Sequence, residues 1–299
     1  MHLRISGHKT KGVKSLNAEG KTALLFLSPS LAGFLLFYLV PFFWGMYYSM
    51  LSSPVNGKFV GISNYLDLLH NEYFLKAALN TLLFTFLSVP LSLVISISLA
   101  LLLNKNIFGK EKLRTLFVTP LVVPVASVVL VWQVLFDSHG SVNYLMNQVG
   151  LQPVDWMNSN WARLVLIIMY LWKTTGYNIV LFLAGLQNIP SQYYEAAEID
   201  GAGTFKKFTS ITLVYLTPTA FFVFIMSIIN SFKVFRETYL IAGAYPHDSI
   251  YMLQHYMNNM FTSLDYQKLT SAAFIMAAFI FVLVFALFRI ERKISSTLV

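Results

Sequence analysis

Residues Ile189 to Pro218 read IPSQYYEAAEIDGAGTFKKFTSITLVYLTP, a segment set between two long apolar runs. It carries Glu195, Glu198, Asp200 and the pair Lys206-Lys207. Pro190 and Ser191 are helix-start signals, Glu195 sits near the positive end of the helix dipole, and Gly201 can end the helix in a left-handed turn. Ala196 and Ala197 leave part of this short helix without bulk, so another backbone or surface can approach closely. A second helix is expected from near Thr204 into the next apolar run. The spacing therefore predicts a small helix held against the end of a membrane span and offered to solution. A solvated polar loop between two spans fits the same spacing equally well.

Composition settles the class. Of 299 residues, 57% are hydrophobic and 11% charged, and the mean hydropathy is +0.63. A soluble domain carries about 25% charged residues, so this chain has too few to cover a soluble surface. The expected fold is all-α and polytopic. About 20 apolar residues cross the hydrocarbon core, and six stretches qualify: 22–49, 78–103, 114–136, 162–186, 211–232 and 269–288. The first contains Pro29 and Pro41; it is too long for a removable signal peptide, lacks a small-residue cleavage site, and is expected to remain as an anchor. The organisation read from this is a basic tail over 1–21, one six-helix transmembrane domain over 22–290, and a tail over 291–299.

Lysine and arginine counts give the orientation. With the N-terminus inside, the inner segments hold fourteen, including Arg4, Lys9, Lys11, Lys110, Lys112, Lys206, Lys207, Arg289 and Arg292. The outer segments hold five: Lys58, Lys76, Lys233, Arg236 and Lys268. Both termini and the 189–210 segment are thus expected in the cytoplasm. Bilayer orientation explains the net charge of +8 better than a nucleic-acid partner does. The longest outer loop is read as 233–268, rich in tyrosine. Trp156 and Trp161, in the outer loop 137–161, suit the membrane interface.

Enzymatic chemistry finds little support. The chain has no cysteine, which excludes disulfides, thiol catalysis and cysteine metal sites. Gly7 to Gly12 resembles the start of a phosphate-binding loop, but Val13 stands where the lysine is needed and no strand precedes it. His247 and His255 have no third ligand at convincing spacing, so no metal site is read. No carboxylate falls inside any of the six predicted spans, which argues against a proton relay.

Lys173 is the exceptional residue of the predicted spans, midway along the fourth. An ammonium near the bilayer centre costs about 2.5–3.5 kcal/mol, so it is expected to face protein or water. It is either a cavity residue that contacts solute or the structural partner of a carboxylate or carbonyl. Asn178, Asn230 and Ser231 are further polar groups expected at a cavity or a neighbouring helix, and Tyr177 can supply a stacking surface for a sugar ring. Pro218 removes a backbone hydrogen bond and is expected to kink the fifth span.

At Glu195-Ala196-Ala197, three residues and then Gly201, followed by Ile211-Thr212-Leu213, the chain resembles the permeases of binding-protein-dependent ABC importers. Val214 replaces that pattern's usual proline, while Pro218 keeps a later one. Phe59 to Tyr65, Asn80-Thr81, Arg114 to Pro120 and Ala184 to Pro190 look like the sugar-permease branch, which includes the maltose and glycerol-3-phosphate permeases. The resemblance implies a second homologous permease, two cytoplasmic ATPase subunits and an extracytoplasmic solute-binding protein, in a bacterial cytoplasmic membrane. It implies that the helix near 191–201 is the coupling helix that docks on the ATPase, with Glu195 its main polar contact, Ala196, Ala197 and Gly201 permitting the close fit, and Asp200 within the motif. It further implies that ATP is handled by another chain, that this chain needs no cofactor, and that segment 233–268 contacts the binding protein.

By the same resemblance the solute path runs among spans three to six. The solute is then a sugar or oligosaccharide; Lys173, Lys233 and Arg236 hint at an acidic one. A self-contained secondary carrier would call for an intramembrane carboxylate or inverted repeats. A membrane enzyme or scaffold would need a catalytic cluster at one interface. Neither signature is evident.

Overall fold

A computed structural model describes residues 12–105 and 107–298, with side chains over 20–105 and 107–293. Residues 1–11 of the basic tail, with Arg4, Lys9 and Lys11, lie outside the described residues. Helices dominate, and no strand occurs among the described residues beyond an isolated bridge between Leu51 and Phe59.

The first span is built from α1 (Gly12–Phe34) and α2 (Val40–Tyr48), joined by a π-helical turn at Leu35–Leu39. Its hydrophobic side chains, Phe26 and Phe37 among them, are exposed on the monomer. Asn64 on the short α3 (Ser63–Leu69) donates to the Ser49 and Leu51 carbonyls, each at 2.8 Å, and so fixes the end of that span.

The second span, α4 (Glu72–Asn104), starts at Asn71, whose side chain accepts the Phe74 N–H. One face of it carries Ser88, Ser92 and Ser96, all buried, which let α8 (Ala162–Gln187) pack closely along it. Then come α5 (Lys110–Val122) and α6 (Val125–Leu135). The fourth span, α8, is the centre of the molecule and packs against both α4 and α5. Gly176 makes the α5 contact possible, because a Cβ there would overlap the Phe117 carbonyl oxygen. Between α6 and α8 the chain forms α7 (Ser141–Gln148), where Asn143 donates to three carbonyls and accepts from the Val154 N–H and the Trp156 indole.

After α8 come α9 (Ser191–Ile199), α10 (Thr204–Lys207), a π-helical turn at Phe208–Thr212, α11 (Leu213–Phe232) and α12 (Phe235–Ala242). The last elements are α13 (Leu253–Thr262) and α14 (Tyr266–Leu298). Among the described residues, five stretches are long and apolar enough to cross a membrane, or six when α5 and α6 count as one.

Two predicted spans differ from what forms. The stretch 114–136 is no straight helix: α5 and α6 meet at 101°. Val123 precedes Pro124 and adopts ψ 128, the extended conformation that proline's ring imposes on its neighbour, so the helix stops there. The fifth stretch does not end at Phe232. Helical structure continues to Ala242, which places Lys233, Arg236 and Glu237 within an apolar span of 39 residues, Thr204–Ala242. Segment 233–268 is therefore largely helical rather than a loop. Its irregular part, 243–252, is held on α4 and α8: Asn80 donates to the Asp248 and Tyr251 carbonyls, Arg163 donates to Asn80 and to the Ser249 carbonyl, and Leu253 N–H donates to Thr81.

Candidate functional site

A cavity of about 450 Å³ opens between α8 and the junction of α11 with α12. Met169, Tyr170, Lys173, Thr174 and Tyr177 reach it from α8, at the i, i+4 and i+7 spacing that keeps side chains on one helix face. Asn230, Lys233, Phe235, Arg236 and Glu237 come from the other wall. A short non-helical link at Lys233–Val234 turns α12 so that both Lys233 and Arg236 face this space.

Lys173 and Glu237 form an ion pair across the cavity. An ammonium and a carboxylate taken from water into an apolar span each carry a large desolvation cost, which mutual contact offsets. Lys173 thus both lines the cavity and has a carboxylate partner, the two roles its position left open. Glu237 was hidden in sequence because Lys233 ends the apolar run before it.

The five residues expected along a solute path separate into two groups. Lys173, Tyr177 and Asn230 line the cavity. Asn178 and Ser231 lie instead in helix–helix contacts. The Asn178 amide donates to Ser92 at 3.1 Å and Ser227 at 3.2 Å, and so joins α8 to α4 and α11. Ser231 pairs with Thr85 at 2.8 Å and donates to the Ile228 carbonyl. Both side chains satisfy themselves where helices cross, which removes them from the solvent-facing wall.

A second candidate surface is α9, at the end of α8 remote from the 243–252 segment. Pro190 precedes its first turn, and Gly201 follows it with φ +75, the left-handed region in which a side chain is strained. Ala202 N–H then donates to the Ala197 carbonyl at 2.8 Å. Three contacts tie α9 back to the following span. Tyr194 hydroxyl pairs with Thr212 at 2.9 Å, the Tyr193 and Tyr215 rings lie 5.0 Å apart, and Lys207 donates to Glu198 at 2.6 Å. The Lys207 contact holds the Glu198 carboxyl below its ordinary range.

What remains facing outward is Glu195, Ala196 and Asp200, with Ile199 at 87% and Phe205 at 80% exposure. No ion pair engages Glu195 among the described residues. The two exposed apolar side chains escaped sequence reading, since each lies in a polar segment.

The histidines have other settings. His247 Nδ1 contacts Ser249 at 2.9 Å, while His255 is fully buried on α13 with its ring edge-on to Phe235. Burial pushes the His255 imidazole down to about 4, so it is neutral in the fold.

Residues 72–296 match the family described as the binding-protein-dependent transport system inner membrane component. The chain belongs to that family. Among relatives, the trehalose/maltose transport system permease protein of Thermococcus litoralis is 34% identical over 76% of this chain and 79% of its own length. The arabinooligosaccharides transport system permease protein of Bacillus subtilis is 35% identical over 81% of this chain and 79% of its own. A subunit of a bacterial ABC transporter involved in the import of the acidic polysaccharide alginate shares the fold, with a TM-score of 0.82 at 23% identity over 94% of this chain and 98% of that one.

Proposed function

We propose that this chain is a transmembrane permease subunit of an ATP-driven importer that carries a sugar or oligosaccharide into the cytoplasm by alternating access. Its partners are a second homologous permease, two ATPase subunits that supply the hydrolysis, and an extracytoplasmic solute-binding protein, all at a bacterial cytoplasmic membrane. The relatives named as sugar permeases support the solute class, and a structure of the alginate transporter in complex with a periplasmic protein supports the delivery route.

The observation that carries the reading is the geometry of α9. A helix so tied, with no further ion pair to its exposed carboxylate among the described residues and with a small-residue face, is suited to dock on another protein and to pass its movement onward. Glu195, Ala196, Ala197, Asp200 and Gly201 form the ATPase-coupling element in this account. Lys173, Tyr177 and Asn230 border the solute path, and Asn178 and Ser231 hold the helices around it. Pro218 acts as the hinge. It lacks an N–H for the Val214 carbonyl, one turn beyond the π-helical turn at Phe208–Thr212, so the span is softest between α9 and the cavity. Lys233 and Arg236 leave the outer loops for the cavity, which lowers the outer basic count to three and supports the reading of α9 as cytoplasmic.

Because the chain has no cysteine, Ala196→Cys creates a unique attachment point. Labelled there with a maleimide photocrosslinker in the assembled complex, the chain is expected to crosslink to an ATPase subunit. Labelling without any such product, under conditions where the complex stays intact, contradicts the coupling role.

A further inference from the structure

The cavity carries more positive charge than its own groups neutralise. Lys173, Lys233 and Arg236 line it, and Glu237 is the one carboxylate among its lining residues. Glu237 is engaged by Lys173. Among the described residues, neither Lys233 nor Arg236 has a carboxylate within ion-pair distance, and both are exposed. The two cations stand i to i+3 across the link between α11 and α12, and no second carboxylate of the lining answers them.

We propose that the cavity admits a sugar bearing an anionic group, a carboxylate or a phosphate, with Lys233 and Arg236 as the residues that receive it. The proposal rests on the importer reading above. The remaining lining fits the rest of such a solute. Tyr177 and Phe235 offer faces for an apolar sugar face, while Asn230 and Gln254 offer amides to its hydroxyls. A neutral sugar is served less well, because its hydroxyls need strong acceptors and the single carboxylate is already taken. The volume lies within the range of about 300–1,000 Å³ common for small-molecule sites. The Lys173–Glu237 pair also sets specificity, since Glu237 repels an anion placed deep in the cavity and leaves the Lys233–Arg236 side as the favoured seat.

The test uses the complete importer in proteoliposomes, with ATP-driven uptake of three labelled probes: tetragalacturonate, glucose 6-phosphate and maltotetraose. Wild type is expected to accumulate at least one anionic probe about tenfold faster than maltotetraose, and the probe that responds distinguishes a carboxylate from a phosphate. A charged hydrogen bond is worth about a tenfold change in affinity, so Lys233→Gln with Arg236→Gln is expected to raise the concentration for half-maximal anionic uptake about 100-fold. Exchanging the cations as Lys233→Arg with Arg236→Lys is expected to retain most of it. Maltotetraose uptake as fast as that of the better anionic probe overturns the proposal while leaving the importer reading intact. So does undiminished anionic uptake by the double glutamine variant. A complex that accumulates none of the three probes and shows no ATP-driven uptake counts against both.

Discussion

The Lys173–Glu237 pair is asymmetric, and its two halves can be removed separately. The Glu237 side chain is only 8% exposed, whereas that of Lys173 is 29% exposed and faces the open cavity. Lys173→Met strands a buried carboxylate, a change that costs about 3–5 kcal/mol when no other partner is at hand. Glu237→Gln strands an ammonium that water in the cavity can still reach, so its cost is set closer to that of a partly exposed pair, about 1–2 kcal/mol. The combination Lys173→Met with Glu237→Leu leaves no charge to desolvate and is expected near wild type, within about 1 kcal/mol. Thermal unfolding of the detergent-solubilised complex, followed by tryptophan fluorescence, gives the order: double variant and wild type together, then Glu237→Gln, then Lys173→Met. An equal or greater loss for Glu237→Gln refutes the burial argument, and additive losses in the double variant refute the pairing.

Two further outcomes follow from packing and protonation. Gly176→Leu is expected to separate α5 from α8, since even a Cβ meets the Phe117 carbonyl; yield and melting temperature of the purified complex should fall well below those of Thr174→Leu, whose position faces the cavity. His255 ionises near 4 in the fold against an ordinary value of about 6.5, so between these values the unfolded chain binds the extra proton. Stability is therefore full above about pH 6.5 and declines as pH falls towards 4, by up to about 3 kcal/mol. Melting curves from pH 7 to 4.5 should show this decline flattened in His255→Gln, and an unchanged slope contradicts it.

Much of the architecture is legible in the residues because bilayer thickness imposes a length on every apolar run. The helix at Ser191–Ile199 is equally legible, since Pro190 and Gly201 are local signals that no tertiary contact has to supply. What sequence obscures depends on long-range pairing. The apolar run 114–136 conceals a right-angled break, although Pro120 and Pro124 mark its place. Glu237 reads as a loop residue until α12 folds against α8 and brings it to Lys173, 64 positions earlier. Asn178 and Ser231 are polar residues in spans, as a solute path requires, but only the crossing of α4, α8 and α11 shows that each is occupied by a neighbouring helix. Composition reports that a polar group is present in a span, and geometry reports what it faces.

The claim that α9 couples this permease to an ATPase is tested most directly by Glu195→Lys, which reverses the charge of its exposed carboxylate, unpaired among the described residues, without touching the Tyr194–Thr212 or Glu198–Lys207 contacts. The measurement is ATP-driven solute uptake by the reconstituted importer, with the amount of ATPase retained on the purified permease recorded in the same preparation. The account predicts a folded, membrane-inserted chain that loses uptake and holds less ATPase. Uptake and ATPase retention equal to wild type would contradict it.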